Sequence, residues 1–146
     1  MLNSKSANES DKAHIASLLK ADKLCFNDIN NDGVSLFVVD KGDEPIGYFG
    51  FEIFNEDALF RSLLVQPEHR GKGYGEQIWQ LALSEMQQQG VKNIYLLTNT
   101  AADFFGKHAF TVFDRASVPD QIARTSEFAE FCPDDSICMH YKVKTQ

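Results

Sequence analysis

The stretch from Leu63 to Gly75, Leu-Leu-Val-Gln-Pro-Glu-His-Arg-Gly-Lys-Gly-Tyr-Gly, constrains this chain most, because it joins an apolar run to an amphipathic segment through three close glycines. It reads as strand, glycine turn, helix. Gly71, Gly73 and Gly75 open dihedrals closed to other residues and leave no side chain between a ligand and the peptide N–H groups. The turn can therefore fold its amides around an anion. A helix starting there adds unpaired N–H groups and the positive end of its dipole, so a phosphate or pyrophosphate is held without any particular side chain. Arg70 and Lys72 add mobile positive charge.

Spacing narrows the choice of phosphate binder. A P-loop requires a Gly-Lys-Ser or Gly-Lys-Thr ending, which is missing here. A dinucleotide fingerprint requires Gly-x-Gly-x-x-Gly and an acid about twenty residues on. Here the third glycine comes one residue early, and Tyr95 stands near the place of that acid. What remains is Arg-Gly-x-Gly-x-Gly preceded by Val65 and Pro67, which resembles the acetyl-coenzyme A turn of the GNAT superfamily of N-acetyltransferases. The resemblance spans Glu9 to Val143, and its specific parts are Leu63 to Gly75 and Thr98 to Phe110.

Composition fits a compact enzyme. With 146 residues, 43% of them hydrophobic, the chain can bury a core as a single domain over residues 1–146. Its net charge of −7 argues against general nucleic-acid binding and against attachment to anionic membranes, since both require a basic face. No run is long enough to span a membrane and the first residues show no signal pattern, so a cytoplasmic protein is expected. Cys25, Cys132 and Cys138 are odd in number and lack the spacing of a zinc site, so reduced thiols and no metal are expected. His14, His69, His108 and His140 show no ligand spacing either.

In chain order, residues 1–8 read as a polar tail, with Ser6 and Glu9 at capping-box spacing before a helix from Glu9 to Lys20. A short second helix is expected over Leu24 to Ile29, ended by Asn30-Asn31-Asp32-Gly33. Val34 to Val39 and Ile46 to Phe54 form an antiparallel hairpin, and Ala58 to Val65 is the strand feeding the glycine turn. Glu76 to Gln89 is helical, stopped by Gly90, and Asn93 to Thr98 returns as a strand parallel to Ala58–Val65. Thr98, Asn99 or Thr100 caps a short helix whose Phe104 and Phe105 face inward. Phe110 to Asp114 is a strand, Ser117 to Phe131 contains helical turns, and Ile137 to Val143 closes the fold. Trp79 marks either a wide buried face or a homodimer contact, with the core the simpler reading. The fold class is a mixed α/β sheet flanked by helices.

The resemblance implies more. In the superfamily the strands ending here at Val65 and Thr98 splay apart, and the pantetheine arm of acetyl-coenzyme A lies between them like an added strand. Leu63, Leu64 and Val65 would then offer amides to the pantetheine and the thioester carbonyl. Arg70, Gly71, Lys72, Gly73, Tyr74 and Gly75 would hold the pyrophosphate, with Thr98, Asn99 and Phe105 on the far side of the splay. A neutral amine attacks the thioester directly, through a tetrahedral oxyanion. The superfamily commonly places a tyrosine as general acid four residues after an alanine and five before a Gly-Phe. Ala101 and Phe110 fit that frame, yet the tyrosine place is Phe105 and the glycine is Ala109. A thiol with a pKa near ~8.5 leaves tolerably as thiolate, so the reaction survives this. Cys138, Ser62 and Thr98 are conceivable substitutes, and the sequence does not choose among them.

The acceptor amine must lose a proton, and Glu52 is the candidate base because it lies among aromatics in a predicted strand, where an acid is uncommon unless it faces a cavity or a partner. Equally open is that Glu52 lies on the solvent face or pairs with Arg61. Arg61 either grips a substrate carboxylate or oxyanion or serves as a structural ion pair. Leu-Leu-Thr-Asn-Thr-Ala at 96–101, Phe104-Phe105, Arg115, Val118-Pro119, Thr125-Ser-Glu-Phe128 and Cys132-Pro133 together resemble the arsenic-resistance-associated branch of these acetyltransferases. That branch implies a small, amino-acid-like amine acceptor with anionic groups for Arg61, Arg115 and Arg124. Cys132 and Cys138 as arsenic-capturing thiols are the weaker reading, since cysteines so placed are more often packing residues. Two functions of different class stand at this point: acetyl transfer to a small-molecule amine, or to a protein or peptide amine, and a non-catalytic acyl-coenzyme A sensing module.

Overall fold

The computed structural model describes residues 2–21, 33–98, 101–125, 128 and 136–144. The described strands are β1 (Leu2–Ser6), β2 (Ser35–Lys41), β3 (Glu44–Phe54), β4 (Asp57–Val65), β5 (Asn93–Thr98), β6 (Thr111–Val112) and β7 (Ile137–Lys142), and the helices are α1 (Glu9–Ala21), α2 (Tyr74–Gln88), α3 (Ala102–Lys107) and α4 (Asp120–Ala123). They form one seven-stranded sheet in the order β1-β2-β3-β4-β5-β7-β6. Every neighbouring pair is antiparallel except β4 and β5, joined through α2 in the crossover expected of a strand-helix-strand unit. The mixed α/β class is therefore present.

Strand alternation sorts the core into two layers. Phe49, Phe51, Ala58, Phe60, Ile94, Leu96 and Met139 point to one face, where Ile78, Trp79, Ala82 and Met86 of α2 and Phe105 of α3 cover them. Trp79 is 1% exposed and packs edge-on to Phe60 and Tyr141, which makes it core. The opposite face carries two separate clusters. Ile15 and Leu19 of α1 sit on Leu36, Val38, Tyr48 and Leu64. Val118, Ile122 and Phe128 sit on Leu59, Tyr95 and Cys138. Each such side chain contributes roughly 1.5–3 kcal/mol when fully buried.

Several expectations shift. The polar tail is strand β1, whose five residues all pair with β2 from Leu2↔Lys41 to Ser6↔Phe37. Only Leu2 of it is buried; the exposed Asn3 to Ser6 and the Lys5–Asp40 ion pair at 3.3 Å give it the polarity of an edge strand, which reads as a tail in sequence. With Ser6 in the sheet, the helix cap falls two residues later: the Asp11 N–H donates to Asn8 Oδ1 at 2.8 Å and the Asn8 N–H to Asp11 Oδ2 at 3.0 Å. Helix α2 starts at Tyr74 rather than Glu76, and the strand expected over 110–114 shrinks to Thr111–Val112. Between Ser117 and Phe131, α4 is the helical turn described, preceded by a 3₁₀ turn at Arg115–Ser117. The helix expected over 24–29 lies outside the described residues, as do Cys25 and Cys132.

Ala109 occupies a left-handed conformation with φ of 72°. An L side chain there costs roughly 1–2 kcal/mol, and glycine's extra freedom in the unfolded chain returns part of that. Ala109→Gly should therefore raise folding stability by about 0.5–1 kcal/mol, read as a higher midpoint in urea unfolding with an unchanged slope.

Candidate active site

Strands β4 and β5 pair over only three rungs, Asp57↔Asn93, Ala58↔Ile94 and Leu59↔Tyr95, although β4 runs on to Val65 and β5 to Thr98. Beyond Leu59 the two strands part. On its other side β4 remains paired to β3, but with an extra residue: Gly50 pairs with Arg61 and Tyr48 with Leu64, so Ser62 and Leu63 stand opposite the single residue Phe49. Ser62 sits at φ 62°, a left-handed conformation for a residue with a side chain. Such a bulge bends its strand and increases local twist, and here it falls where β4 leaves β5.

At the end of β4 the chain enters a 3₁₀ turn, Pro67–His69, and then the glycines. Gly71 and Gly73 take φ values of 79° and 83°. Gly73 is the left-handed residue preceding α2, and no side chain caps that helix among the described residues, so its first-turn N–H groups point toward the turn. Gly75 differs from the sequence expectation: it lies inside the helix, and a side chain there would contact the ring of Phe104 at 3.5 Å. That is ordinary van der Waals separation, so Gly75 faces α3 without a backbone or packing demand for glycine. Arg70, expected to be mobile, donates from Nε to the carbonyl of Val65 at 2.9 Å and ties the turn back to the strand.

Two residues beside the turn are held by the β2–β3 hairpin, a feature not evident from sequence. His69 Nε2 meets Glu44 Oε1 at 2.8 Å, and Lys41 Nζ donates to the Tyr74 hydroxyl at 3.4 Å. The His69 and Tyr74 rings meet edge to face. At the root of the turn the buried Gln66 donates to the Tyr48 hydroxyl at 2.7 Å and contacts the ring nitrogen of His14 at 3.3 Å. Burial raises the Tyr48 pKa, and the charges of Asp11 and Asp40 push it the same way, so the phenol stays protonated.

Glu52 and Arg61 come together on the helix α1 and α4 face of the sheet. Glu52 lies between Tyr48 and Phe54 along β3, and Arg61 between Leu59 and Leu64 along β4, so the pair sits in the interval between the two apolar clusters. Arg61 Nη1 donates to Glu52 Oε2 at 3.5 Å, and its Nε donates to Ser62 Oγ at 3.2 Å. The Arg61 side chain has 0% of its surface exposed, that of Glu52 11%. The aromatic company of Glu52 in sequence is explained by alternation: Phe49, Phe51 and Ile53 turn to the other face.

On the far wall of the splay Thr98 is buried, and its Oγ1 accepts the Ala101 N–H at 2.9 Å ahead of α3. Asn99 lies outside the described residues. Phe105 is 6% exposed, with its ring centroid 6.2 Å from Phe60, 5.1 Å from Phe104 and 5.3 Å from Phe110. Of the conceivable acid substitutes, Cys138 packs with Leu59, Tyr95 and Ile122, where burial pushes its thiol up to about 11 against the opposing charge of Arg115. Among the described residues no group of three or more His, Cys, Asp or Glu side chains could hold a metal ion, and no helix is long and apolar enough to cross a membrane.

The sequence profile of the Acetyltransferase (GNAT) family matches residues 5–110, more than half of the chain. The chain belongs to this family. None of the curated proteins matches its sequence. Among solved structures, this GNAT chain is similar to the N-acetylglutamate synthase of Neisseria gonorrhoeae with coenzyme A and L-arginine bound (TM-score 0.78, 16% identity, covering 99% of this chain and 34% of that one). The same synthase with coenzyme A and N-acetyl-glutamate gives a TM-score of 0.77 at 14% identity, covering 99% of this chain and 36% of that one. The chain thus spans about a third of the synthase's length. It is also similar over 97% of its length, and over 99% of the other chain, to Rv2747 of Mycobacterium tuberculosis with coenzyme A and NLQ (TM-score 0.76, 18% identity).

The chemistry of Cys138 yields a direct test. A thiol is reactive only as thiolate, so with its pKa near 11 it should resist iodoacetamide in the native protein at pH 8 and react readily once the protein is denatured. Peptide mass spectrometry should show its native alkylation rising only as the pH climbs toward 11.

Proposed function

We propose that this GNAT chain transfers the acetyl group of acetyl-coenzyme A to the primary amine of a small, amino-acid-like molecule. The observation that carries the reading is the arrested β4–β5 ladder beside the glycine turn. Main-chain groups of Leu63, Leu64 and Val65, without a partner strand in β5, can pair with the amides of pantetheine as a strand would and receive charge on the thioester oxygen. Arg70 to Gly75 then meet the pyrophosphate, with the N–H groups of Gly71 to Gly75 supplying the contacts and the α2 dipole favouring the charge. Tyr74, pinned by Lys41, with Thr98 and Phe105 across from it, completes the cleft.

In this reading Glu52 takes one proton from the acceptor ammonium. The freed amine attacks the carbonyl carbon, the N–C bond forms and the C–S bond breaks, and sulfur leaves with the electron pair. The surplus proton on nitrogen passes to the thiolate or to water. Phe105 has no hydroxyl to assist departure, and the low basicity of a thiolate makes that assistance dispensable. Support for an amino-acid-like acceptor comes from the buried guanidinium of Arg61 on the same face as Glu52, from the N-acetyl-glutamate bound by the Neisseria synthase, and from the resemblance to the arsenic-resistance-associated branch. On that last ground a glutamate-like arsenical belongs in any acceptor panel. We assign the protein to the cytoplasm as a single domain, in keeping with its acidic charge and its cysteines.

Thiol release from acetyl-coenzyme A, read with a chromogenic disulfide against amino acids, polyamines and peptide N-termini, should single out amino-acid-like amines. Cofactor binding with silence toward every amine would instead establish a sensing module, and turnover with peptides alone a protein acetyltransferase. Glu52→Gln should lower kcat about 100-fold or more and abolish the rise of rate with pH; an unchanged profile removes Glu52 from the chemistry. Gly73→Ala and Gly90→Ala both replace glycines in left-handed conformations with nothing within 4 Å of the added carbon, so each should lose roughly 1–2 kcal/mol of stability. Only Gly73→Ala should also weaken acetyl-coenzyme A binding, by about tenfold in calorimetry.

A further inference from the structure

Glu52 and Arg61 present a problem for a base: the guanidinium stands against Oε2 of the carboxylate, where an acceptor ammonium would have to approach. The contact is nevertheless a loose one. At 3.5 Å between Arg61 Nη1 and Glu52 Oε2 it is longer than the 2.7–2.9 Å of a well-made charge-assisted bond. Buried ion pairs of imperfect geometry stabilise a fold little, because desolvation offsets their attraction. Arg61 also stands next to Ser62, whose left-handed backbone holds the bulge at the mouth of the splay, and its Nε is oriented by the Ser62 hydroxyl. One edge of the guanidinium is thus fixed to the bulge, while Nη1 faces Glu52.

Exposure gives the pair a direction. With 0% of the Arg61 side chain exposed and 11% of Glu52, a ligand approaching this face meets Glu52 first and reaches the guanidinium by displacing it. We propose that the acceptor's own carboxylate does this: it exchanges with Glu52 on Arg61, and the released Glu52 takes the proton of the acceptor's amine. Arg61 is then a positioning and specificity residue that keeps the base idle until an amine bearing a carboxylate arrives. Charge is conserved in the exchange, since one carboxylate replaces another on the guanidinium. No bond other than those of acetyl transfer is made or broken. The inference rests on the acetyltransferase reading above and adds to it a coupling between substrate charge and catalysis.

The test uses three acceptors that differ only in carboxylates: glutamate with two, 4-aminobutyrate with one and propylamine with none. Each is assayed by thiol release with the whole protein and with Arg61→Met and Arg61→Lys, alongside acetyl-coenzyme A binding and thermal melting to confirm the fold. In the unaltered protein kcat should fall at least tenfold from the carboxylate-bearing amines to propylamine. In Arg61→Met the KM of the carboxylate-bearing acceptors should rise roughly 10- to 100-fold, the range for a lost charge-assisted bond, while kcat with propylamine rises severalfold. Arg61→Lys, which keeps the charge without the fork, should restore the preference for carboxylates in part. If Arg61→Met lowers kcat equally for all three amines, or if propylamine is turned over as fast as glutamate by the unaltered protein, the exchange is wrong while the acetyltransferase reading stands. If no amine is acetylated by protein that binds acetyl-coenzyme A, both fall. Should Arg61→Met fail to fold, the propylamine comparison in the unaltered protein and the Arg61→Lys profile decide the matter alone.

Discussion

The rest of the structure depends on a ladder that stops. A parallel pair normally continues for as long as both strands run side by side, because every unmade rung leaves two backbone groups to be satisfied elsewhere. Here three rungs form between β4 and β5, and then the strands part while each keeps its other neighbour, β3 on one side and β7 on the other. What drives them apart is local to β4: the extra residue at Ser62–Leu63 turns the strand while α2, packed on Phe60 through Trp79 and Ile78, fixes where it must go next. The separation therefore belongs to the register of the sheet itself. A groove lined by main-chain groups, ending at a helix start with uncapped N–H groups, follows from these two constraints alone.

The parts legible in the sequence were those with a periodic or conformational signature. The glycine turn declared itself through Gly71 and Gly73, since no other residue takes those dihedrals cheaply, and the apolar periods of β3, β4 and α2 placed the elements around it. Ala109, at the place where the resemblance implies a glycine, takes a left-handed conformation that an alanine in sequence does not announce. Illegible were the features made by register. Ser62 carries no mark of its left-handed backbone, because serine is ordinary in strands and the bulge arises only once β3 and β4 are paired. Strand β1 hid behind its own polarity, since an edge strand is held by main-chain bonds that composition does not report. Gly75 looked like the third member of a conformational set and proved to be an ordinary helical residue facing Phe104.

The meeting of Glu52 and Arg61 lay between these extremes. The sequence offered each a functional role and offered their mutual pairing as the plain alternative, and the sheet made the pairing real, by a diagonal contact across β3 and β4. The two readings are compatible once the contact is seen as a long one. Neighbouring positions on that face are filled by apolar side chains packed to near-complete burial, as Leu59 and Tyr48 show. A polar pair in such a place lowers the cohesion of the layer it interrupts, and it divides the face into the α1 cluster and the α4 cluster.

The hairpin joining β2 to β3 has a mechanical role that its surface position conceals. By touching His69 with Glu44 and Tyr74 with Lys41, it grips the chain on both sides of Gly71 and Gly73, residues with intrinsically wide backbone freedom. A loop of freely rotating residues would lose much entropy in closing around an anion, but one clamped at entry and exit has already surrendered most of it. Insertions in that hairpin would loosen the jaws and, on the function proposed above, slow the capture of the donor.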